Sequence, residues 1–556
     1  MPNRTVHYIT RIIEEAFLTE DGRSFKRTAV IEKYKGQSKL STKKLGAPDL
    51  SEVYQQINEE KNLNLAHCYF KDFSLKTYRT LYNIDDGAPV KLTSFQADHS
   101  FFESEYGTDF SYAEFGGQSS SFAYTTFNLG RVNFNYTKCA TSLNFNHSEF
   151  NLEELSLKFA EFEEGDIRFS GANFNCTDVM FTNTNFGKGN VNFRQANFGE
   201  SHVSFQYARF DNGDVSFDKS KFRGDFIDFR KVEFGNGKTD FKRVDFGNGN
   251  INFSESEFKR GKISFRSSLF GIGEKKFENV DFGDNDVYFD GTVFKEGLLC
   301  FKNSTFKLLS LVDCNLGGHC DFRVKKGNFL DLSFSVIKDV VDFHAGNSDM
   351  YLKTLKIEGI KNMGKLFISW KKNDAFHLIQ SQKSSSFESK ANQFHILKES
   401  FHQNGKFTSE DSAYVAFKRY EMAAERKLGK ESGGFQYFKS EVSHFFRWLV
   451  FDKAGLFATA PLRVFISMIV VLTFFSLLYV ILPFFVDAAI LPSVQHTGEL
   501  SLIGTAFYHS AITFFTIGYG DYFPSGHIAW LSAVEGWSGV FLMSYFTVAF
   551  VRKILR

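Results

Sequence analysis

The sequence predicts a multidomain chain: a stacked-coil β-solenoid, then helices, then a C-terminal two-helix transmembrane segment enclosing a short re-entrant helix. Three observations carry this. Phenylalanines recur at alternating spacings of seven and five residues through the middle of the chain. A Ser-rich stretch, Ser381-Gln-Lys-Ser-Ser-Ser386, marks a change to helical periodicity. Two long apolar stretches near the C-terminus flank the run Thr513-Phe-Phe-Thr-Ile-Gly-Tyr-Gly-Asp521.

From Phe162 the rings fall at 169, 174, 181, 186, 193, 198, 205 and 210 and onward to 301 and 306, without a missed gap. The phase runs back through Leu157, Phe150 and Phe145, and one slip near Cys139 joins it to Phe110, Phe115, Phe122, Phe127 and Phe134. Two residues before most rings stands a small or branched side chain, as at Val191, Ala196, Val203 and Ala208. In extended chain, residues i and i−2 face the same way, so each short segment turns a small residue and a ring inward. Gly235-Asn-Gly237 and Gly247-Asn-Gly249 read as corners with room for φ > 0. One seven-plus-five unit supplies two inward faces. A closed square coil needs four, which sets about 24 residues per coil, with each ring stacked on the one a coil later. At roughly 4.8 Å per coil, some eight or more coils would make a rod of about 40 Å or longer.

This pattern resembles the pentapeptide-repeat family in its Phe-centred form, with two extra residues at alternate corners, over roughly residues 65–310. The resemblance implies a right-handed quadrilateral β-helix. Regularity fades after Phe306, but Leu308-Leu-Ser-Leu-Val312 and Phe367-Ile-Ser-Trp370 still read as strands to about residue 380. Before the repeats, Pro48-Asp49 leads into a capped helix at Leu50–Glu60. Residues 1–64 are expected to cap the open N-terminal edge of the solenoid, because an exposed β edge invites aggregation.

After the linker, Ala391–Asn404 sets Phe394, Leu397, Lys398 and Phe401 near one helical face. Gly405 interrupts, and Ser409–Lys427 sets Ala413, Ala416, Phe417 and Tyr420 at helical spacing, giving a hairpin. Ser443–Lys453 mixes aromatics with Arg447 and Lys453, which suits a helix lying at a membrane interface; a soluble packing helix is the alternative.

Val464–Val486 is 23 residues without a charge, and Ile528–Val551 has Glu535 as its one ionisable group; both are long enough to span a bilayer. Leu500–Phe515 is too short for a third crossing, since its residues would make a helix of about 24 Å at most. It reads as a re-entrant helix. Lys439, Arg447, Lys453 and Arg463 precede the first span, and Arg552, Lys553 and Arg556 follow the second. The stretch 487–527 between them carries Asp487, Glu499 and Asp521 but no Lys or Arg. The positive-inside rule then predicts a multi-pass protein of the cell (plasma) membrane with both termini cytosolic.

Non-helical backbone at membrane depth is tolerated only where protein buries it or where it lines a water-filled path. Gly518 and Gly520 permit angles that let successive carbonyls face one axis. Here the chain resembles the two-transmembrane potassium channel pore family, over about residues 460–556, with Ile517 where T-V-G-Y-G filters have Val. The resemblance implies a homotetramer. In it, the carbonyls of Thr516, Ile517, Gly518 and Tyr519, with the Thr516 hydroxyl, replace the hydration shell of K⁺. Gly520 shapes the mouth, Tyr519 packs sideways around the filter, and Asp521 adds negative potential at the outer entrance. The pore-helix C-terminus at Phe514–Phe515 directs partial negative charge towards the cavity. Phe515 stands where many members carry a second Thr, which leaves conductance and blocker sensitivity open. The family also carries a Glu and a following Gly in the inner helix. Glu535, Gly536 and Gly539 are therefore gating candidates, weighed against a helix–helix anchor and close packing. His509 reads as a packing residue.

The divisions expected are 1–64, an N-terminal cap; 65–380, the β-helix; 385–430, the hairpin; 431–456, a linker and interfacial helix; and 457–556, a potassium channel pore domain. Charge is balanced, 65 Lys+Arg against 64 Asp+Glu, which argues against nucleic acid and against a DNA-mimicking rod. Six cysteines make no disulfide framework, and Cys314, His319 and Cys320 fit no common zinc spacing, so no metal is expected. The start, with Glu14 and Glu15 and no apolar core, is not a signal peptide. No nucleophile–base motif or phosphate loop is present, so no enzyme and no cofactor is expected, with K⁺ only as permeant ion. Neither span has an arginine at every third position, so no voltage-sensing helix is expected. Only five residues follow Val551, so regulation is expected from the N-terminal side. The reading is a passive K⁺-selective channel tuned by a cytosolic β-helix that takes an unidentified ligand or protein. The alternative is a membrane-tethered scaffold with a closed or vestigial pore. The bacterial pentapeptide-repeat proteins fused to an ion channel domain, which the hairpin–pore combination resembles, share this architecture.

Overall fold

In the solenoid the chain returns to the same face every 24 residues. Ile167, Val191, Val215, Thr239, Ile263 and Val287 are parallel register partners in succession. A computed structural model describes residues 6–344, 350–493 and 500–555. Glu499 and Arg556, used above for orientation, lie outside the described residues, as do Met1–Thr5. The chain divides into two units, Met1–Gln382 and Lys383–Arg556.

The parallel solenoid occupies residues 90–367 in about 11 turns. Phe169, Phe193, Phe217, Phe241, Phe265 and Phe289 form one column, with centroids 4.5–5.1 Å apart. Phe181, Phe205, Phe229, Phe253, Phe277 and Phe301 form a second, at 4.6–5.0 Å. The two columns meet edge to face, as at Phe217–Phe229 (5.8 Å, 89°) and Phe241–Phe253 (5.6 Å, 88°). Burying one such ring contributes about 1.5–3 kcal/mol, and each ring contact adds about 0.5–1.5 kcal/mol. Strands of two or three residues gain little from their own ladders, so the ring columns hold the coils together. Buried hydroxyls close the remaining polar accounts by donating to carbonyls of the previous coil. Ser268 bonds Phe241 O (2.7 Å) and Thr292 bonds Phe265 O (2.9 Å).

The corners work differently from the sequence reading. Gly235, Gly237 and Gly249 do not have positive φ; Gly247 does, at +62°. What excludes a side chain is the coil before: a Cβ would lie 1.2 Å from Asp211 O at Gly235 and 1.9 Å from Gly213 O at Gly237. The left-handed positions carry full side chains instead. Gln195, Tyr207, Lys219, Lys231, Arg243 and Glu255 have φ between +55° and +61°. Each such residue costs about 1–2 kcal/mol. The geometry aims their N–H groups at the next coil: Gln195 N donates to Asp218 O (2.9 Å), and Arg243 N to Arg266 O (3.0 Å).

The slip near Cys139 is a coil one residue shorter, in which Cys139 takes a ring position between Phe115 and Phe162. Later coils shorten again, and Phe301, Phe322 and Phe343 stack at 5.5 Å. The last strand of the solenoid is Lys365–Phe367. Residues 375–380, read as the end of the strands, are a helix whose Ala375, Leu378 and Ile379 are buried at helical spacing. Cys314 and Cys320 face the core while His319 is exposed, so the three do not converge.

The N-terminal part of this unit contains an antiparallel sheet, Val6–Ile13, Thr28–Lys35 and Ser38–Gly46, with Thr28–Lys35 central. It lies on a side face of the first coils, where Ala29, Ile31 and Leu45 pack with Tyr69 and Phe101. Tyr8 and Lys33 both bond Glu149. Helix α1 (Leu50–Asn58) is capped by Asp49 and buries Val53, Tyr54 and Ile57. Tyr54 packs on Phe73 just before α2 (Leu75–Leu81). The helix noted above at 375–380 is α3 (Ala375–Gln380).

One core position of the stack carries a charged side chain. Lys275 stands two residues before Phe277 and is fully buried. Its Nζ donates to the carbonyls of Glu296 and Lys295. Burial lowers its pKa from 10.5 to about 8. A depressed lysine destabilises the folded state wherever the unfolded chain is protonated. The deficit is full below pH about 8 and vanishes as pH rises through 10.5. Lys275→Met should therefore stabilise the solenoid at pH 7 by about 1–3 kcal/mol. Thermal melting should show the gap between variant and wild type closing between pH 8 and 10.5.

In the second unit, α4 (Phe387–Gln403) and α5 (Phe407–Ser432) form an antiparallel pair around Gly405, whose φ is +66°. Phe394 stacks on Tyr420 (5.3 Å) and His395 meets Phe417 (5.2 Å). Helix α6 (Gly434–Arg447) continues into a wider π-turn at Trp448–Lys453. Its polar side faces α5 through Arg426–Glu441 (2.8 Å) and Arg447–Glu425. Phe435, Phe438, Phe445 and Phe446 remain exposed.

Candidate ion pore

Among the described residues, two helices are long and apolar enough to cross a membrane: α7 (Pro461–Ile481), prolonged to Phe484, and α9 (Ile528–Ile554). Between them α8 (Leu502–Phe514) starts on Ser501, whose side chain accepts from Gly504 N (3.3 Å). The chain then leaves helical geometry. Thr516, Gly518 and Gly520 have φ of +55°, +61° and +75°, alternating with residues of negative φ at Ile517 and Tyr519.

The start of this run is tied back to α8. Thr516 N donates to Thr513 O (3.0 Å), and Ile517 N and Gly518 N donate to Ile512 O (2.8 and 3.3 Å). Its far end is pinned by Tyr508 Oη donating to Asp521 Oδ2 (2.7 Å). Ser493 N donates to Asp521 O (2.8 Å), and the strands Ile490–Pro492 and Tyr522–Pro524 pair beside it. Among the described residues, no protein donor reaches the carbonyls of Thr516, Ile517, Gly518, Tyr519 or Gly520. The side chains of Ile517 and Tyr519 are 50% and 73% exposed, and Phe515 is 44% exposed. A Cβ at Gly518 or Gly520 meets nothing within 4 Å, so φ alone selects glycine there in the single chain.

Behind the run sits a buried polar cluster that joins all three helices. Glu535 is 0% exposed. Its Oε2 accepts from Tyr479 Oη (2.7 Å) on α7 and its Oε1 from Ser510 Oγ on α8. Ser532 Oγ bonds both Tyr479 Oη and His509 Nε2 at 3.0 Å. Ser510 Oγ also lies 3.1 Å from Leu472 O. A buried carboxylate is tolerated when donors meet it, and both oxygens are met here. Glu535 is thus the anchor that sets α8, and with it the run, against both long helices.

Gly536 and Gly539 differ. A Cβ on Gly539 would lie 1.9 Å from Phe514 O, whereas on Gly536 the nearest atom is 3.7 Å away. Helix α9 runs unbroken through both. Close packing against the end of α8 accounts for Gly539.

Residues outside the sequence-derived set complete the frame. Asp411 of α5 is buried and accepts from Lys553 Nζ (2.9 Å) and Arg552 Nη2 (3.3 Å) in the last turn of α9. The Arg552 guanidinium lies 4.5 Å from the Tyr414 ring centroid. Arg419 makes a bidentate pair with buried Asp452 (2.8 and 3.0 Å). Between the π-turn and α7, Leu456, Phe457 and Ala458 are all left-handed, with φ of +47°, +55° and +62°. Three such residues in a row store several kcal/mol, at about 1–2 each. Tyr545 of α9 holds this elbow: its Oη accepts from Ala458 N (2.9 Å) and donates to Phe451 O (3.0 Å). Tyr508, Tyr479 and Tyr545 carry no motif, and their partners Asp521, Glu535 and the elbow lie on other segments, so no local signal marks them.

Gly539→Ala should lower the thermal stability of the membrane segment in detergent, because backbone must move. Gly536→Ala should be neutral or stabilising by up to about 1 kcal/mol from helix propensity. Equal melting of the two variants would contradict the packing assignment.

No curated protein and no solved structure matches the chain. Residues 462–556 match the family model described as ion channel, so this C-terminal segment, following a parallel β-solenoid consistent with pentapeptide repeats, is an ion-channel domain.

Proposed function

We propose that the protein is a passive, K⁺-selective channel of the cell membrane, tetrameric, with its solenoid and both termini in the cytosol. The observation that carries this reading is the row of five successive carbonyls, Thr516–Gly520, that no protein donor reaches among the described residues. At membrane depth such groups need a partner. Alternating left-handed residues allow them to share one side, and four copies around an axis would then offer rings of oxygens to a dehydrated cation. Exposure of Ile517 and Tyr519 in the single chain supports a neighbouring subunit against them. Asp521, held by Tyr508, places negative charge at the mouth. Basic residues before α7 and after α9 support the orientation.

Tuning by the cytosolic part would act through the hairpin. Helix α5 grips the last turn of the inner helix at Asp411 and the pre-span turn at Arg419–Asp452. A shift of α5 driven by the β-helix, or by a ligand or protein on it, would pull on α9 directly. Glu535 would keep the filter in place while α9 moves.

Gly518→Ala should abolish K⁺ flux from proteoliposomes while leaving the solenoid fold and oligomer size unchanged; wild-type flux in this variant would remove the filter assignment. Asp411→Asn weakens the grip on Arg552 and Lys553. It should change open probability at least severalfold while leaving the K⁺/Na⁺ ratio unaltered, since coupling energies of about 1–3 kcal/mol are typical. Unchanged opening in single-channel records would place the coupling elsewhere.

A further inference from the structure

The N-terminal sheet has two outer strands, and they are built differently. Ser38–Gly46 carries Lys39, Lys43 and Lys44, and its ladder with Thr28–Lys35 shifts register at Lys33/Tyr34. Lysines and bulges are what keep an edge from pairing with another strand. Val6–Ile13 has neither. It holds no Lys and no Pro, and its register with Thr28–Lys35 runs unbroken from Val6↔Lys35 to Ile13↔Thr28. Among the described residues, no backbone hydrogen bond reaches it except from Thr28–Lys35. Its side chains are left open as well. Thr10 is the register partner of Ile31, and Ile12 of Ala29. Directly opposed residues share a face, so Thr10 and Ile12 stand on the face where Ala29 and Ile31 pack with Tyr69 and Phe101. Ile12 is nevertheless 42% exposed, and Ile9, on the other face, 50%. Thr10 Oγ1 is buried without a hydrogen-bond partner.

We infer that Val6–Ile13 is an interface strand that pairs antiparallel with the same strand of a second copy, joining the two three-stranded sheets into one. Continuity of the buried face requires odd-numbered residues to oppose odd and even to oppose even, since a one-residue slip turns every side chain over. That leaves few registers overlapping most of the strand. Centring on Ile9 sets His7 beside Arg11 of the second copy, and centring on Arg11 sets two arginines together, where like charges destabilise a pair. Centring on Thr10 avoids both. Thr10 then faces its own copy, so each unpartnered hydroxyl meets a hydroxyl. Tyr8 faces Ile12 of the second copy, an aromatic–β-branched pair that covers the exposed isoleucine. The strand is thus complementary to itself about Thr10, which is what selects a second copy over a segment of a different protein. The pairing involves no pore residue, so it stands or falls apart from the proposed function.

The test is thiol cross-linking of the full chain in membranes with copper phenanthroline, read on a non-reducing denaturing gel. The native cysteines are all buried, so the wild type should run as a monomer. Thr10→Cys should form at least about fivefold more dimer than Ile9→Cys or Arg11→Cys, which lie diagonally from their own copies at about 7–8 Å, too far for an easy disulfide. Ile9 and Arg11 oppose each other in this register, so the two variants coexpressed should cross-link together. Lys39→Cys, on the other edge, should stay monomeric. Absence of dimer from both Thr10→Cys and the coexpressed pair would overturn the proposal. So would equal dimer from Thr10→Cys, Ile9→Cys, Arg11→Cys and Lys39→Cys, which is random collision, or a Thr10→Cys cross-link to a different protein in place of its own copy.

Discussion

Every backbone polar group needs a partner, and both units of this chain are organised around that demand. In the solenoid each coil is partner to the next. Its strands are so short that the N–H groups at the corners would be lost without left-handed residues such as Lys219 and Arg243 to aim them. In the membrane segment the two long helices satisfy themselves. The exception is Thr516–Gly520, where left-handed residues recur at every second position and the carbonyls have no protein donor among the described residues. The same backbone device thus serves opposite ends: in one unit it closes hydrogen bonds, in the other it leaves acceptors open.

Open acceptors are useful only if their frame is rigid. Here the frame is side-chain chemistry. Tyr508 holds one end of the run through Asp521, and the Ile512 carbonyl holds the other. Glu535 locks α8 to both long helices through Tyr479 and Ser510. Gly539 permits the approach of α9 that this locking requires. By contrast, the region around Leu456–Ala458 is strained, and it lies where α5, the pre-span turn and α9 are tied by Arg419–Asp452, Asp411–Arg552 and Tyr545. A rigid mouth and a strained, ion-paired base are what a pore opened from the cytosolic side would need.

Much of this was legible in the sequence because it is periodic. The seven–five alternation fixes a 24-residue coil, since inward rings must return to the same face, and the structure pairs Ile167 with Val191 and Val191 with Val215 accordingly. The apolar stretches and the Thr-Ile-Gly-Tyr-Gly-Asp run likewise follow from local rules. What was not legible lies in contacts between segments distant in sequence. Strand Ser38–Gly46 of the N-terminal sheet has no clear alternation, because much of it is exposed, and the sheet's packing partners, Tyr69 and Phe101, come later in the chain. The corner glycines looked like positive-φ positions; only the stacked coil reveals that Asp211 O and Gly213 O leave no room for a Cβ. The grip of Asp411 on Arg552 and Lys553 spans more than a hundred residues and carries no local signal.

Under the proposed function, the open carbonyls of Thr516–Gly520 select potassium. The most direct measurement is the reversal potential of the reconstituted full chain in a planar bilayer, with K⁺ on one side and Na⁺ on the other. Selection by these carbonyls would displace the reversal potential strongly towards that of potassium. A reversal potential near zero, with current carried equally by both ions, would contradict it.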